Sequence, residues 1–140
     1  MLKKTVKYED YNGVEKTKDF YFNLNKAELM KMQLTEAGGL AESIEKIVAA
    51  NNIPAIVEIF EKLVLDAYGE KSADGERFEK TDDIKAAFKQ SPAYPIIYME
   101  LATDADAAAK FINGIVPADM AKEVEAKQKE ALKAIHPANN

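Results

Sequence analysis

The first 24 residues alternate apolar and polar side chains on either side of Tyr11-Asn12-Gly13, and this hairpin pattern constrains the chain more than any other feature. Leu2, Val6 and Tyr8 form one apolar set, and Phe20, Phe22 and Leu24 form the other. The length of the turn decides whether the two sets meet. A two-residue Asn12-Gly13 loop pairs Tyr11 with Val14, sets Val6 opposite Asp19, and leaves the apolar sets on opposite faces. A three-residue loop from Tyr11 to Gly13, with Gly13 left-handed and a bulge, pairs Asp10 with Val14. Leu2 then faces Phe22, Lys4 faces Phe20, and Leu2, Val6, Tyr8, Phe20 and Phe22 share one side. We adopt this second register. A lone hairpin is marginal in water, so its apolar face must pack on helices or on another chain.

From Asn25 onward the signals are helical. Asn25 with Glu28 reads as a capping box, opening a helix to about Gln33 that Gly38-Gly39 breaks. Leu40, Ile44, Ile47 and Val48 mark a second helix ending at Asn51-Asn52. Pro54 opens the most apolar element. Ile56, Ile59, Phe60, Leu63, Val64 and Ala67 fall at helical spacing there, with Val57, Leu65 and Tyr68 widening the stripe. Residues 69–80 read as a long polar loop with a turn at Asp74-Gly75. Thr81 caps the next helix, followed by Asp82 and Asp83 in its first turn. Ser91-Pro92 reads as cap plus first helical residue of a helix with Tyr94, Ile97, Tyr98 and Leu101 on one stripe. Thr103 reads as the cap of a helix that Gly114 stops, and Pro117 begins a last, weakly apolar helix to about Ile135. The expected fold is therefore mainly α with a small N-terminal β-hairpin, an α+β domain of about six helices. One domain spans 1–140: a hairpin over 1–24, a helical lobe over 25–68, the loop over 69–80, a second helical lobe over 81–135, and a frayed tail over 136–140.

Composition narrows the chemistry. The 140 residues include no cysteine, which removes disulfides, thiolate zinc sites and cysteine nucleophiles. The net charge is −5 and its sign is evenly spread, with no basic block to neutralise a row of phosphates. Arg77 is the lone arginine among 19 basic residues, and arginine is the side chain best suited to bidentate phosphate contacts. Nucleic acid is excluded as an expected partner. No apolar run approaches the roughly 20 residues of a membrane span, and no apolar run follows Lys3-Lys4 as in a secretory signal.

No catalytic or metal site emerges, and no cofactor or small-molecule substrate is expected. His136 is the single histidine and lies in the expected tail, so neither a catalytic triad nor a multi-histidine metal site can be assembled. Setting Gly75 at the sixth position of a calcium loop puts Thr81 at the twelfth, where a bidentate glutamate is required, so the segment reads as a polar turn. Asp104 and Asp106, two apart on a helix, diverge and read as first-turn carboxylates, with Glu100 one turn earlier.

Surface for protein partners is what remains. Phe88, Tyr94, Ile96, Tyr98 and Met99 form an aromatic and methionine-rich cluster around Ser91-Pro92, of a kind favoured at adaptable interfaces. Core packing accounts for Tyr94 and Tyr98 on the helical stripe. Ile96 and Met99 lie off that stripe and are the better interface candidates.

Taken together, YNG, DFYFNLNKAEL, AGGLAE, LDAYGEKSADGERFEK and PAYPIIYMELATDADAAAKFINGIVPADM resemble one family over about Tyr8 to Met120. It is that of the small tail assembly chaperones of long-tailed siphophages and prophages, particularly of Gram-positive hosts. Tyr68–Phe78 and Met99–Pro117 are the most specific segments. The resemblance implies a non-enzymatic protein of the host bacterial cytoplasm that is absent from the mature virion. It implies binding to the tape measure protein, which is kept soluble, and recruitment of the tail tube protein, with self-association left open. A programmed frameshift often gives such proteins a C-terminally extended form. The competing expectation is a structural phage component, such as a head–tail connector or minor tail protein, or a helical adaptor module.

Overall fold

In the computed structural model, which describes residues 1–35 and 53–117, strands β1 (Leu2–Glu9) and β2 (Glu15–Phe22) form the expected antiparallel hairpin. Leu2 pairs with Phe22, Lys4 with Phe20 and Glu9 with Glu15, as the three-residue loop requires. The Asp10 N–H donates to Val14 O at 2.8 Å, the Gly13 N–H donates to Asp10 O at 3.0 Å, and Gly13 adopts φ 80°. Glycine tolerates that left-handed conformation without a Cβ clash. The Asp10 carboxylate closes the turn by accepting from the Asn12 and Val14 N–H groups, both at 2.9 Å, and by pairing with Lys16 at 2.9 Å. Lys16 first, and then the Val14 N–H, hold this carboxyl below its ordinary pKa.

Helix α1 (Lys26–Thr35) opens with the expected reciprocal capping box. Asn25 N–H donates to Glu28 Oε1 at 3.0 Å, and Glu28 N–H donates to Asn25 Oδ1 at 2.8 Å. The second helical segment, expected to end at Asn51-Asn52, lies outside the described residues, as do the helix after Pro117 and the tail with His136. Helix α2 (Ile53–Ala67) carries the apolar stripe. It runs directly into strand β3 (Tyr68–Lys71), which is followed by strand β4 (Phe78–Glu79). Tyr68, expected on the helical stripe, is thus the first residue of a strand.

The segment 69–80 is therefore a second hairpin rather than a plain loop. It pairs through Glu70↔Glu79 and Lys71↔Phe78, and β3 joins β2 through Tyr21↔Gly69 and Phe22↔Tyr68. The four strands make one antiparallel sheet in the order β1-β2-β3-β4. Its hairpin turn is held by Asp74, whose Oδ1 accepts from Ser72 Oγ at 2.6 Å and from the Glu76 N–H at 3.0 Å. Strands this short carry no period-two signal, and their polar residues disguised them. With five described helices and four strands the fold is α+β, and the count of about six helices is not matched among the described residues.

Three helices complete the described fold: α3 (Asp82–Lys89), α4 (Ala93–Thr103) and α5 (Ala105–Ile115). Thr81 caps α3, accepting from the Ile84 N–H. Two other expected caps are corrected. Pro92, not Ser91, stands at the N-cap of α4, because the Ser91 hydroxyl donates back to Phe88 O at 2.7 Å. Asp104, not Thr103, caps α5: its carboxylate accepts from the Asp106 and Ala107 N–H groups, while the Thr103 hydroxyl donates to Met99 O. A carboxylate at a helix N-terminus gains from the dipole as well as the hydrogen bonds. Helix α5 passes Gly114 and ends at Ile115.

The helices cover the apolar face of the sheet. Val6, Phe20 and Phe22 join Leu63, Val64, Tyr68, Phe88, Ile97, Leu101, Phe111 and Ile112 in one contiguous core. Backbone bonds pin the end of β2 to the ends of two helices: Asn23 N–H to Ala67 O at 2.8 Å and Leu24 N–H to Ile115 O at 2.7 Å. Among the described residues no helix is long and apolar enough to cross a membrane.

Gly69 marks the tightest point of the second hairpin. A Cβ there would lie 2.7 Å from Phe78 Cε2 and 2.9 Å from the backbone oxygen of Glu79, which cannot rotate away. Gly69→Ala is expected to lower stability by about 1–3 kcal/mol, the usual cost of overpacking. Chemical denaturation should show a lower midpoint with unchanged m.

Candidate partner-binding surface

Helix α4 has two unlike sides because its apolar residues exceed what one buried stripe can hold. Ala93, Ile97 and Leu101, four residues apart, are buried against the core. Tyr94 and Tyr98 occupy the neighbouring stripe and are half-buried toward α2. The Tyr98 hydroxyl donates to Val57 O of α2 at 3.0 Å. Tyr94 meets Phe88 edge-on, with ring centroids 5.4 Å apart at 88°, and lies 5.9 Å from the Tyr98 ring. Phe88 is only 3% exposed and stacks on Tyr68 at 4.0 Å and 15°. Phe88 is therefore buried beneath Tyr94.

Ile96 and Met99 point the other way. They are 44% and 54% exposed, and Val57, beside Tyr98, is 37% exposed. The five candidate residues thus fall into a buried support (Phe88), a half-buried shoulder (Tyr94, Tyr98) and an exposed crest (Ile96, Met99). Val57 was not legible as surface, because its spacing placed it on the wide apolar stripe of α2. Only the packing of α4 beside that stripe shows which flank of α2 stays uncovered.

Two carboxylates near these elements are ion-paired. Glu61 is near Tyr94 and Tyr98 and pairs with Lys89 at 3.1 Å, while Glu100 pairs with Lys4 of β1 at 2.6 Å. Burial, and then the Glu61 charge, push the Tyr94 hydroxyl up to about 12 and raise Tyr98 as well. Burial, with Glu70 next, pushes Tyr68 up to about 12. Packing thus makes these phenols harder to ionise than a free tyrosine. Among the described residues no group of three or more His, Cys, Asp or Glu side chains is placed to hold a metal ion. An open cleft of about 570 Å³, lined by residues including Asn23, Lys26, Asn113 and Val116, contains no α4 residue.

Helix α4 thus carries exposed Ile96 and Met99 beside a tyrosine stripe that packs on Phe88. A family model described as phage tail assembly chaperone matches residues 1–139. The chain belongs to that family. No curated protein and no solved structure matches it. Family membership makes phage tail proteins the general class of partner for this chaperone.

Because folding raises the pKa values of Tyr68 and Tyr94, the unfolded chain loses these protons first. Their contribution to stability is complete below pH 10 and is lost as pH rises from about 10 toward about 12. Absorbance titration of the phenols should show Tyr68→Phe and Tyr94→Phe each removing a late-titrating group, with thermal stability falling over that window.

Proposed function

We propose that this chaperone binds the tape measure protein, keeps it soluble, and helps bring tail tube protein to it, without catalysis. It acts in the host bacterial cytoplasm and leaves before the virion is complete. The single observation that carries this reading is the exposed Ile96–Met99 crest on α4 in a chain of the tail assembly chaperone family. A long apolar helix exposes more hydrophobic surface than a soluble protein tolerates. Short apolar crests on many chaperone copies would each cover one stretch, weakly per copy and strongly in sum. Modest contacts suit displacement by arriving tube subunits. The chain's net charge of −5 would favour solubility of the coated complex.

Co-expression with the tape measure protein of the same phage, followed by light scattering, tests this. A soluble complex with many chaperone copies per partner is expected. An insoluble partner beside free chaperone would refute it, and finding the chain in purified virions by mass spectrometry would favour a structural component. The double substitution Ile96→Glu with Met99→Glu should reduce recovered tape measure protein about tenfold. It should leave the melting temperature nearly unchanged, since both side chains are solvent-facing.

A further inference from the structure

Asn12-Gly13, Asp74-Gly75 and Asn113-Gly114 place an asparagine or aspartate directly before a glycine. Asparagine is chemically labile, and most so before glycine, which has no Cβ to hinder its own amide nitrogen from reaching the preceding side chain. That attack needs an uncommitted side-chain amide, a following N–H that can be released, and room for the main chain to swing. Asn12 meets all three conditions. It is exposed at the tip of the first hairpin, and its side chain makes no hydrogen bond among the described residues. The Gly13 N–H is held by one bond, to Asp10 O at 3.0 Å. Little packs on Gly13: a Cβ there would meet only Glu9 Oε1, at 3.6 Å.

The other two steps are held. Asn113 is half-buried in α5, with its Oδ1 enclosed and unpartnered. Closing a ring there would rotate Asn113 away from the helical ψ of about −42° and displace the residues that follow. A Cβ on Gly114 would lie 2.9 Å from Leu2 Cδ1, so Leu2 packs directly on that backbone, and Ile115 O accepts from the Leu24 N–H at 2.7 Å. The swing therefore requires the core to open, which costs far more than fraying a surface turn. Asp74 is as exposed as Asn12, but its Oδ1 accepts from Ser72 Oγ at 2.6 Å and from the Glu76 N–H at 3.0 Å. Ser72 first, and then the Glu76 N–H, hold that carboxyl below its ordinary pKa, and an ionised carboxylate resists a nucleophile.

We propose that Asn12 is a self-modification site: it deamidates in the folded chain through a cyclic imide with Gly13, while Asn113 is protected until the fold opens. Hydroxide takes the Gly13 N–H proton, the amide nitrogen attacks Cγ of Asn12, and the Cγ–Nδ2 bond breaks. Nδ2 takes a proton from water and leaves as ammonia, which regenerates the hydroxide. A second water then opens the ring. Attack at Cγ gives aspartate, and attack at the main-chain carbonyl gives isoaspartate. One water is consumed and one ammonia released overall. The isoaspartyl product carries an added main-chain methylene in the loop whose length sets the β1–β2 register, so modification acts on the hairpin that the core is built around.

The test is incubation of the full chain in mildly alkaline buffer, followed by digestion at acidic pH and peptide mass spectrometry. Each deamidation adds about one dalton, and electron-transfer fragmentation separates isoaspartate from aspartate. In the folded chain Asn12 should react about tenfold or more faster than Asn113, the gap expected between local and global opening. Both aspartate and isoaspartate should form at position 12. In urea, where no fold distinguishes them, the two asparagines should react at similar rates. Asn12→Gln, whose longer side chain would have to close a larger and slower ring, should remove the mass gain at position 12. It should leave Asn113 and the melting curve unchanged. No mass gain at Asn12 in the folded chain, or equal rates at Asn12 and Asn113 in a chain whose melting curve shows it folded, would overturn the proposal.

Discussion

Phe22 is the side chain on which the rest of this fold depends. It is fully buried near the end of β2, with the Tyr68, Phe88 and Phe111 rings 5.7, 5.9 and 5.3 Å away. Those rings come from β3, α3 and α5, so one aromatic residue of the hairpin organises three later elements. Each buried aromatic side chain contributes on the order of 2 kcal/mol by area, with tilted and edge-on ring contacts adding to it. A hairpin alone could not provide that burial. The covering helices are therefore a condition for the N-terminal strands to exist.

Charged groups complete what the apolar core begins, and they do so at element ends. The Lys80 ammonium donates to Asn23 O at 2.6 Å and to Glu28 Oε2 at 2.7 Å, so the carboxylate that closes the α1 capping box also ties that corner to the second hairpin. Helix α2 has no basic residue in its last turn. Lys85 of α3 supplies the charge instead, donating to Leu65 O and, at 3.5 Å, to Tyr68 O. Burial, and next the positive charge of Lys80, draw the Lys85 ammonium below the usual lysine range. The arrangement satisfies carbonyls that the helix-to-strand junction would otherwise leave exposed inside the fold.

Burial divides helix α4 in the same physical terms. A helix whose residues are nearly all apolar has to leave some of them outside, and the tyrosines mark the boundary by burying rings while keeping hydroxyls at the rim. Phe88 and Tyr68 stack beneath the inner side. Ile96 and Met99 are left on the outer side of the helix.

Much of the fold was legible locally. The hairpin register follows from period-two alternation and the three-residue turn, because a shift of one residue would turn every apolar side chain of one arm to the wrong face. The Asn25–Glu28 capping box, the Thr81 cap and the α2 stripe are likewise decided within a few residues. The candidate partner cluster was legible as a group, and Ile96 and Met99 were separable from the α4 stripe by spacing alone. The division of roles within that cluster was not, since Phe88 is covered by Tyr68 and by strands 60 or more residues earlier in the chain. The second hairpin was illegible for a similar reason: Tyr68–Lys71 is a strand only because Tyr21 and Phe22 offer it a partner edge. The sequence by itself determined the elements whose stability comes from neighbours along the chain, and its composition limited the chemistry. Tertiary structure alone decided the short strands, the charges at α2 and α1, and which apolar residues face outward, because each depends on groups distant in sequence that meet only after the core has closed.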